Sequence, residues 1–545
     1  MSAATKTYIG LSLGNHNSVI AIINKDHRAE VIANEDGEHK TPTYVAFSGE
    51  EEYHGSQAKH QFVRNAQNTI MGFRDLLGKP YSADMNALHE GFAKIEEQEG
   101  KPVFVVHTED DDGNTSELRL SAHEVTVRYL ARLRTTAEDY LGRKIDGAVM
   151  ALPVWFTAEQ KKSVAAACEE AGIPLLQLVS EPVAAAIQYG VGKDASHEDA
   201  KDTLALVVDV GGTGSDVALV ASRGGLYSVV ASKHTVELSG EIVDDVLVKH
   251  FAAEFQRQNK IDVLQGNAKA VRKLKQAVET TKRTLSSATT APCAVESLAE
   301  GIDFNGAINR TRFDIMSGKV YGPLLDVISK VISDAGYTPA QVDQVLLCGG
   351  AARIRRLQSR IAGLFPETTE VREDAGELDE IIAAGCAEQA ALIAQGIVEA
   401  PKDAANAADL VVDMLAKPVG LQISADELIA ILHKDTPLPA SRSVKVALPA
   451  GQKRAYVAVA EGEPVPPKED EEEEEDENED AEPKEAEVAP LYRPSKLLAE
   501  MVLELDEADE NTRVEITFFV GTDKKLTVTA TEHVSGKSIT AEIPQ

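Results

Sequence analysis

The sequence is poor in the features that build cross-linked, secreted or membrane-spanning proteins. Its 545 residues hold four cysteines that lie far apart and form no Cys-x-x-Cys pair, so neither a zinc site nor a disulfide framework is expected. No apolar run approaches ~18 residues, which argues against a membrane-spanning helix. The first ten residues lack a basic stretch followed by an apolar one, so no secretory signal is expected. We therefore expect a cytoplasmic protein.

Basic residues are also scarce relative to acidic ones. The chain has 55 Lys and Arg against 88 Asp and Glu, for a net charge of −33, which argues against general nucleic-acid binding because phosphate backbones need cations. Residues 469–487 alone hold 14 acidic residues and one lysine. Such a segment repels itself and has no apolar face, so we predict a disordered loop at about 466–490. It either solubilises the chain or meets a basic partner, and solubilisation is the commoner role.

What is present is a hydrophobic fraction of 43%, ample for the two to four domains that this length predicts. Strands and helices alternate through residues 1–396, which predicts an α/β fold. Composition then changes, and strand-like segments with turn residues follow. We expect a first domain at 1–400, a linker at 401–417 and a β domain at 418–545 that contains the acidic loop.

Helical periodicity is clear in six segments of the first domain. A capping box of Thr157 and Gln160 is expected to begin one of them. Short buried strands are expected at 145–152 and 342–348. The predicted helices are 121–141, 157–172, 241–260, 266–287, 318–336 and 379–396.

A strand–turn–strand pattern occurs twice, at 6–24 and at 203–221. Each turn is polar and contains glycine, from Gly14 to Ser18 and from Gly211 to Ser215, and such turns expose backbone N–H groups that can cradle phosphate oxygens. Two such turns from duplicated halves, facing each other, could clamp a triphosphate. For a single turn an ordinary hairpin is the better reading.

Together with their neighbours, these segments resemble the DnaK-type, seventy-kilodalton heat-shock chaperone family. The resemblance runs from residue 8 to residue 543 through many stretches in family order, among them YIGLSLGNHNS, LVSEPVAAAIQYG, LVVDVGGTGSDVALV, VETTKRTLSSAT, VDQVLLCGGAARIRRLQ and GTDKKLTVTATEHVSGKS. It implies the two-lobed nucleotide-binding domain of the actin and hexokinase fold, followed by a substrate-binding β domain.

The resemblance also implies an ATP site between the lobes. Four of the implied residues repeat at spacings of three, four and seven, which places them along one helical face. Without the resemblance, that face would be read as an ordinary solvated charged surface. The implied ATP-binding residues are Gly14, Asn15, His16, Gly211, Gly212, Thr213, Gly214, Glu279, Lys282, Arg283, Ser286, Gly349, Gly350, Arg353 and Asp379.

Departures from the family pattern concentrate at the positions that support hydrolysis. An aspartate that helps to hold Mg²⁺ is replaced by Ser12, and an essential lysine by Arg74. Asn15 and His16 replace two threonines, and Thr213 and Gly214 stand where the family has glycine and threonine. The resemblance therefore leaves no intact catalytic set, although Glu181, Asp209 and Asp216 are retained.

Phosphoryl transfer depends on positioned charge, and one such contact is worth ~3 kcal/mol. We therefore expect a chain that binds ATP but hydrolyses it slowly or not at all. Whether Mg²⁺ accompanies the ATP stays open. Compensating residues that preserve a normal ATPase are the alternative.

The C-terminal part departs from the family pattern as well. No helical lid follows the short β domain, and the expected linker reads DLVVDM at 409–414. This is similar to the Ssz branch of the family, a subunit of the fungal ribosome-associated complex. That branch pairs stably with a zuotin-like J-domain protein at the ribosome and helps to stimulate a second chaperone acting on nascent chains. The resemblance implies these partners here, with ribosome contact made through the J-domain protein.

Three other functions compete with this one. An active ATPase chaperone that binds client peptides would need the missing aspartate, lysine and lid. A nucleotide-exchange factor of the same family would share the acidic loop but carries a long helical extension. A sugar kinase of the same fold would lack the β domain.

Overall fold

The computed structural model describes residues 6–88, 91–109, 114–193, 202–397, 400, 413–465, 492–505, 512–521, 523–533 and 535–543. The predicted acidic loop, and residues 401–412 of the predicted linker, lie outside these ranges. The domain boundaries proposed above therefore stay predictions.

Nineteen strands precede residue 400 among the described residues. They are β1 Tyr8–Leu13, β2 Asn17–Ile23, β3 Ala29–Val31, β4 Thr41–Pro42, β5 Tyr44–Ser48, β6 Glu51–His54, β7 Thr69–Met71, β8 Lys94–Gln98, β9 Lys101–Glu109, β10 Thr115–Ser121, β11 Gly147–Leu152, β12 Leu175–Ser180, β13 Thr203–Val210, β14 Ser215–Arg223, β15 Leu226–Thr235, β16 Thr290–Ala299, β17 Ile302–Asn309, β18 Gln344–Cys348 and β19 Glu370–Arg372.

The described C-terminal strands are β20 Val419–Gln422, β21 Leu428–Leu432, β22 Ala440–Ala447, β23 Arg454–Pro464, β24 Tyr492–Glu504, β25 Arg513–Val520, β26 Leu526–Glu532 and β27 Ser538–Ile543. The helices are α1 Gly55–Gln61, α2 Met85–Leu88, α3 Ala122–Leu141, α4 Ala158–Glu170, α5 Glu181–Gln188, α6 Gly240–Asn259, α7 Ala268–Ser287, α8 Arg310–Ser317, α9 Gly322–Asp334, α10 Arg355–Ala362 and α11 Ile381–Ala394. Short 3₁₀ turns complete the list at Ala66–Asn68, Phe73–Leu76, Gly318–Val320, Pro339–Gln341 and Gly350–Arg353.

The six helices predicted from periodicity are all present, with ends that differ by a few residues. The capping box before α4 is confirmed, since the Thr157 hydroxyl accepts from the Gln160 N–H and the Gln160 side chain accepts from the Thr157 N–H. A second capping box joins Ser121 and Glu124 before α3. Reciprocal capping satisfies N–H groups that the first helical turn leaves without partners.

Two sheets of the same topology form the centres of two lobes, which we name lobe I (6–193) and lobe II (202–397). Strand order is β12-β11-β1-β2-β3 in lobe I, with β4 beside β2, and β15-β14-β13-β18-β19 in lobe II. In each sheet an antiparallel hairpin is followed by two parallel strands. The repeat predicted from the two hairpins therefore extends through both sheets. Smaller sheets, β6-β5-β7 and β10-β9-β8 in lobe I and β16-β17 in lobe II, extend the lobes outward.

Helices α5 and α11 join the lobes by crossing between them. Helix α5 follows the lobe I sheet, yet its Ala185 and Ala186 lie in the lobe II core. Helix α11 follows the lobe II sheet, yet Cys386 packs against the lobe I strands. The crossing is very close, because a Cβ on Gly385 would lie 1.8 Å from the Ala184 carbonyl oxygen. Only glycine permits this approach, and the two crossed helices thereby fix how the two lobes face each other.

The described C-terminal strands form two four-stranded antiparallel sheets, β21-β20-β23-β24 and β22-β25-β26-β27. Their facing sides share one core, in which Val459 of the first sheet meets Phe518 and Val528 of the second. Alternation of buried and exposed residues along β25 and β26 is the pattern of a half-buried strand. Among the described residues no helix follows Ala394.

This β region rests on lobe II. The Tyr337 hydroxyl donates to Asp435 Oδ2 at 2.9 Å, and the Lys434 ammonium donates to the Ala335 carbonyl and lies over the Tyr337 ring. Arg442 Nη2 donates to Asp202 Oδ1 at 2.9 Å. The contacts across this boundary are largely polar, as is common where two domains of one chain meet.

Within the described part of the chain, no helix combines the length and apolar character needed to cross a lipid bilayer.

Candidate functional site

A cavity of about 230 Å³ opens between the two lobes, at the ends of the two glycine-containing hairpins. Lobe I contributes the turn after β1 and the segment before β4, and lobe II contributes the rest. The lining residues are His16, Asn17, Lys40, Gly211, Gly212, Gly240, Glu241, Asp244, Glu279, Lys282, Arg283, Ser286, Gly350, Ala351, Arg353, Ile354 and Asp379.

The second hairpin turn is fixed by backbone hydrogen bonds. The Gly211 N–H donates to the Gly214 carbonyl at 2.9 Å and closes the turn. The N–H groups of Gly240 and Glu241, at the start of α6, donate to the carbonyls of Gly211 and Gly212 at 2.8 and 2.9 Å. The turn therefore presents a rigid glycine surface to the cavity, as a phosphate-binding loop requires.

Helix α7 forms one wall of the cavity, and its charged residues are paired. Glu279 accepts from Lys59 Nζ at 2.8 Å and from Arg283 Nη2 at 2.7 Å. Lys282 Nζ donates to Asp244 Oδ2 at 2.8 Å and to the Gly240 carbonyl. Although burial opposes ionisation of Glu279, its cationic neighbours hold its pKa well below the ordinary value. The Lys59–Glu279 pair also joins lobe I to lobe II.

The opposite wall contains a second charged cluster. Asp379 accepts from Lys40 Nζ at 2.6 Å and from Arg353 Nη2 at 2.7 Å. Burial would raise the pKa of Asp379, but the two cations lower it. The Arg353 guanidinium, which also pairs with Glu377, is thereby fixed at the cavity, where its planar face suits stacking on a purine.

Arg74 lies deeper, beneath the first hairpin turn. Its Nε donates to Asp75 at 2.8 Å, and Nη1 donates to the Leu13 carbonyl at 3.2 Å and to Glu181 at 3.4 Å. The amide of Asn15 donates to the same Asp75 at 2.8 Å and lies 3.5 Å from the Thr213 hydroxyl. The guanidinium is therefore held by acceptors of the protein itself.

The retained carboxylates surround this arginine. Asp216 accepts from Trp155 Nε1 and lies at hydrogen-bond distance from His234 Nδ1, both at 3.0 Å. Burial raises the pKa of Asp209 to about 7, and the nearby Asp216 adds to this rise. Burial likewise raises the pKa of Glu181, although Arg74 opposes the rise. Crowded carboxylates of this kind hold protons more tightly than isolated ones.

Among the described residues, no group of three or more His, Cys, Asp or Glu side chains is placed to hold a metal ion. Position 12 is a serine, and the Arg74 guanidinium lies between Asp75 and Glu181.

The structure brings ten of the fifteen implied ATP-binding residues to the cavity. The five that do not line it are Gly14, Asn15, Thr213, Gly214 and Gly349. All five still belong to the turns that border it, and Asn15 Nδ2 lies 3.5 Å from the Thr213 hydroxyl across the cleft. The binding roles stay predictions, because a cavity wall alone does not show what is bound.

Sequence reasoning missed six lining residues, which are Lys40, Gly240, Glu241, Asp244, Ala351 and Ile354. Asn17 belongs to the first predicted turn but was not among the implied ATP-binding residues. Ser239 caps α6 by accepting from the Ile242 N–H, so a helix start was readable at the Gly240–Glu241 step. Lys40 belongs to a loop without periodicity, and no local signal would have found it. It reaches the site by pairing with Asp379, 339 residues further along the chain.

Comparison with known proteins now adds to this geometry. The Hsp70 protein family matches residues 8–473. The chain belongs to the Hsp70 family. The predicted two-lobed actin-like fold with a C-terminal β region is thereby confirmed, and Hsp70 proteins bind nucleotide in general.

Three similar Hsp70 relatives are fungal. A heat shock protein 70 homolog of Schizosaccharomyces pombe is 38% identical over 96% of this chain and 93% of its own length. The ribosome-associated complex subunit SSZ1 of Saccharomyces cerevisiae is 34% identical over 98% of this chain and 99% of its own. A ribosome-associated molecular chaperone of Eremothecium gossypii is 32% identical over 84% of this chain and 72% of its own.

Proposed function

We propose that this Hsp70-family chain binds ATP in the interlobe cleft, hydrolyses it slowly or not at all, and works as a stable subunit of a ribosome-associated complex. One observation carries the proposal. The cation at the lysine position is Arg74, and its guanidinium is already bonded to Asp75, Glu181 and the Leu13 carbonyl. Its Nε and Nη1 groups are therefore directed at acceptors of the protein rather than at a transferring phosphoryl group.

The effect on hydrolysis follows from the size of such contacts. Phosphoryl transfer relies on positioned cations and an oriented water, and one electrostatic contact is worth ~3 kcal/mol, or about a hundredfold in rate. Here the serine at position 12 supplies no charge to the site. The Asn15 amide already donates to Asp75, an acceptor of the protein itself. The adenosine-side wall, by contrast, keeps Arg283, Ser286 and Arg353 at the cavity. The arrangement favours binding over turnover.

Likeness to the SSZ1 subunit over nearly the full length of both chains supports the assembly part of the proposal. By that likeness, the partner is a zuotin-like J-domain protein in a stable heterodimer. The pair contacts the ribosome through that partner in the cytoplasm and assists a conventional ribosome-bound chaperone in folding nascent chains. The net charge of −33 fits a subunit that leaves contact with ribosomal RNA to its partner.

ATP binding and hydrolysis are tested separately on the purified chain. Equilibrium binding of ATP by calorimetry is expected to show a stoichiometric site, while single-turnover hydrolysis is expected to be at least about a hundredfold slower than for an active Hsp70. A double variant that restores the family residues, S12D with R74K, serves as the comparison. Hydrolysis by the unaltered chain at the rate of active relatives would refute the pseudo-ATPase reading.

Assembly is tested by affinity purification from the native cell followed by mass spectrometry. A single J-domain protein at a one-to-one ratio, retained through high-salt washes, is the expected result. A broad set of unfolded clients released by ATP would instead establish the alternative, an active peptide-binding chaperone.

A further inference from the structure

His16 occupies an unusual place in the nucleotide cleft. It belongs to the first hairpin turn in lobe I, but its ring reaches across to lobe II, where a Cβ on Gly212 would come within 2.7 Å of it. Its Nδ1 lies 3.8 Å from a Glu241 oxygen and its Nε2 lies 3.6 Å from a Glu279 oxygen. The edge of the ring meets Tyr44 at 6.2 Å between centroids. The imidazole therefore lies directly over the second phosphate loop.

The other cationic side chains that line the cavity are already engaged. Lys40 and Arg353 donate to Asp379, Lys282 donates to Asp244, and Arg283 donates to Glu279, all at 2.6 to 2.8 Å. Each of these contacts is a short, charge-assisted hydrogen bond. Each of these four side chains already neutralises a carboxylate, so only its remaining N–H groups are left for a ligand.

His16 differs from them in what its nitrogens contact. Its distances of 3.6 and 3.8 Å to the carboxylates are ion-pair distances but exceed hydrogen-bond length. Its Nδ1 is buried without a hydrogen-bond partner. A buried donor left unsatisfied is costly, so a ligand acceptor that reaches it gains a full hydrogen bond.

We propose that His16 is an exchangeable charged contact of the cleft, held between Glu241 and Glu279 when the cleft is empty and donating to a phosphate oxygen when a nucleoside triphosphate enters. This rests on the proposed ATP binding and deepens it. The ring needs no large movement, because it already lies on the loop that faces the phosphates. One contact within the cleft then serves both the closure of the lobes and the recognition of the polyphosphate.

The charged groups around His16 favour its protonated form, which is the form that is proposed to donate to the phosphate. Burial would lower the pKa of His16, but Glu241 and Glu279 outweigh burial and raise it, with Lys59 opposing them. Both glutamates have lowered pKa values, so they stay ionised near neutral pH. The charged or titratable side chains that face the ring are Tyr44 on β5, Lys59 on α1, Glu241 and Asp244 on α6, and Glu279 and Lys282 on α7.

The test compares ATP and adenosine binding to the full chain and to its His16→Gln variant. The variant is expected to weaken ATP binding about tenfold, the size of one lost charge-assisted hydrogen bond, and to leave adenosine binding unchanged. The loss is expected to be larger at pH 6 than at pH 8.5. Calorimetry in buffers of different ionisation enthalpy is expected to show proton uptake on ATP binding by the unaltered chain and less uptake by the variant.

Matched controls separate this inference from the function on which it rests. His123→Gln removes a histidine on α3 that pairs with Glu170 on α4, outside the cleft, and this variant is expected to bind ATP normally. Its melting temperature and that of H16Q show whether each variant is folded, and His16→Asn supplies a second variant. If the unaltered chain binds neither ATP nor adenosine, the proposed function fails. If it binds ATP and H16Q binds equally well, or loses adenosine to the same extent, the role of His16 is refuted.

Discussion

At the residue scale, Arg74 shows how acceptors of the protein itself can fix a buried cation. A lysine ammonium is a compact point charge, whereas a guanidinium is planar and donates in several fixed directions. Arg74 uses three of those directions on Asp75, Leu13 and Glu181 and lies 5.7 Å from the Phe156 ring centroid. It thus neutralises buried carboxylates of the site, and its first effect is on stability.

Replacing Arg74 by methionine is therefore expected to lower the free energy of unfolding by about 3 kcal/mol, because it leaves Glu181 buried without its cation. Urea unfolding of the nucleotide-free chain measures this. Arg119→Met, which removes a cation from an exposed cluster with Glu96 and Glu117, is the matched control and is expected to destabilise the chain much less. Equal effects of the two substitutions would contradict the role given to Arg74.

Asp209 makes stability depend on pH. Its pKa is raised to about 7 by burial and by Asp216, so the folded chain holds a proton that the unfolded chain releases near its ordinary value of 3.8. Folding is therefore penalised increasingly as pH rises from about 4 to about 7, and the penalty is constant above that range.

Asp209→Asn removes this penalty. The variant is expected to exceed the unaltered chain in stability at pH 8 by at least about 1.4 kcal/mol, the value of one pKa unit, and to lose that advantage as pH approaches 4. Unfolding free energies at several pH values check this, with Asp326→Asn on an exposed face of α9 as the control. If the stability advantage of Asp209→Asn instead grew toward low pH, the raised pKa assigned to Asp209 would be wrong.

At the scale of elements, the crossed helices α5 and α11 decide how the two repeated sheets face each other. Each helix packs on the sheet of the other lobe, and Gly385 allows them to touch. Gly10 on β1 permits a similar approach, since a Cβ there would lie 2.2 Å from the Ala387 nitrogen. Both helices therefore lie between the two sheets and set how closely the lobes approach.

Gly385→Ala is expected to destabilise the chain by about 2 kcal/mol, since the added methyl group overlaps the Ala184 carbonyl and must push the helices apart. Because this shifts the lobes, ATP affinity is expected to fall as well. Thermal unfolding and calorimetry measure the two effects. Gly318→Ala, where a Cβ meets open space, is the control. If G385A were as stable as the unaltered chain, helices α5 and α11 would be able to move apart at no cost, which would contradict the role given to Gly385.

At the scale of the whole molecule, the β region and lobe II meet through polar contacts. Arg442 reaches Asp202, which also accepts from the Gly224 N–H at 3.0 Å, and Asp435 accepts from Tyr337. Contacts of this kind hold a relative orientation but contribute little net energy on their own. A substitution that changes one charge at this boundary is therefore expected to alter the orientation of the β region relative to lobe II.

Reversing one charge, Arg442→Glu, is expected to place two carboxylates together and to separate the β region from lobe II. Faster amide hydrogen exchange around Gly224 and Tyr337, with the nucleotide cleft unchanged, is the expected readout. The double variant with Asp202→Arg is expected to restore protection in part. Arg454→Glu, at an exposed pair with Glu504, tests for a general charge effect. Identical exchange in R442E and R454E would show that the Arg442 pair does not hold the contact.

Much of the fold was readable from the sequence because its signals are local. Apolar runs between glycine-containing turns specify the two hairpins, and periodicity with capping residues such as Thr157 specifies the helices. The α7 residues Glu279, Lys282, Arg283 and Ser286 were placed on one face by spacing alone, and that face lines the cavity. Local geometry decides all of these features, so one sequence suffices to predict them.

The tertiary structure alone decided which distant residues share the site. Lys40 pairs with Asp379 and Lys59 with Glu279 across hundreds of residues, and no periodicity links such positions. The sequence by itself determined that residues 12 and 74 are serine and arginine, which the resemblance places at the family's aspartate and lysine positions. Only the folded chain shows that Arg74 donates to Asp75 and Glu181, whereas His16 Nδ1 is buried without a hydrogen-bond partner. The reason is physical, because the state of a charge depends on its burial and its neighbours in space, which the order of residues does not specify.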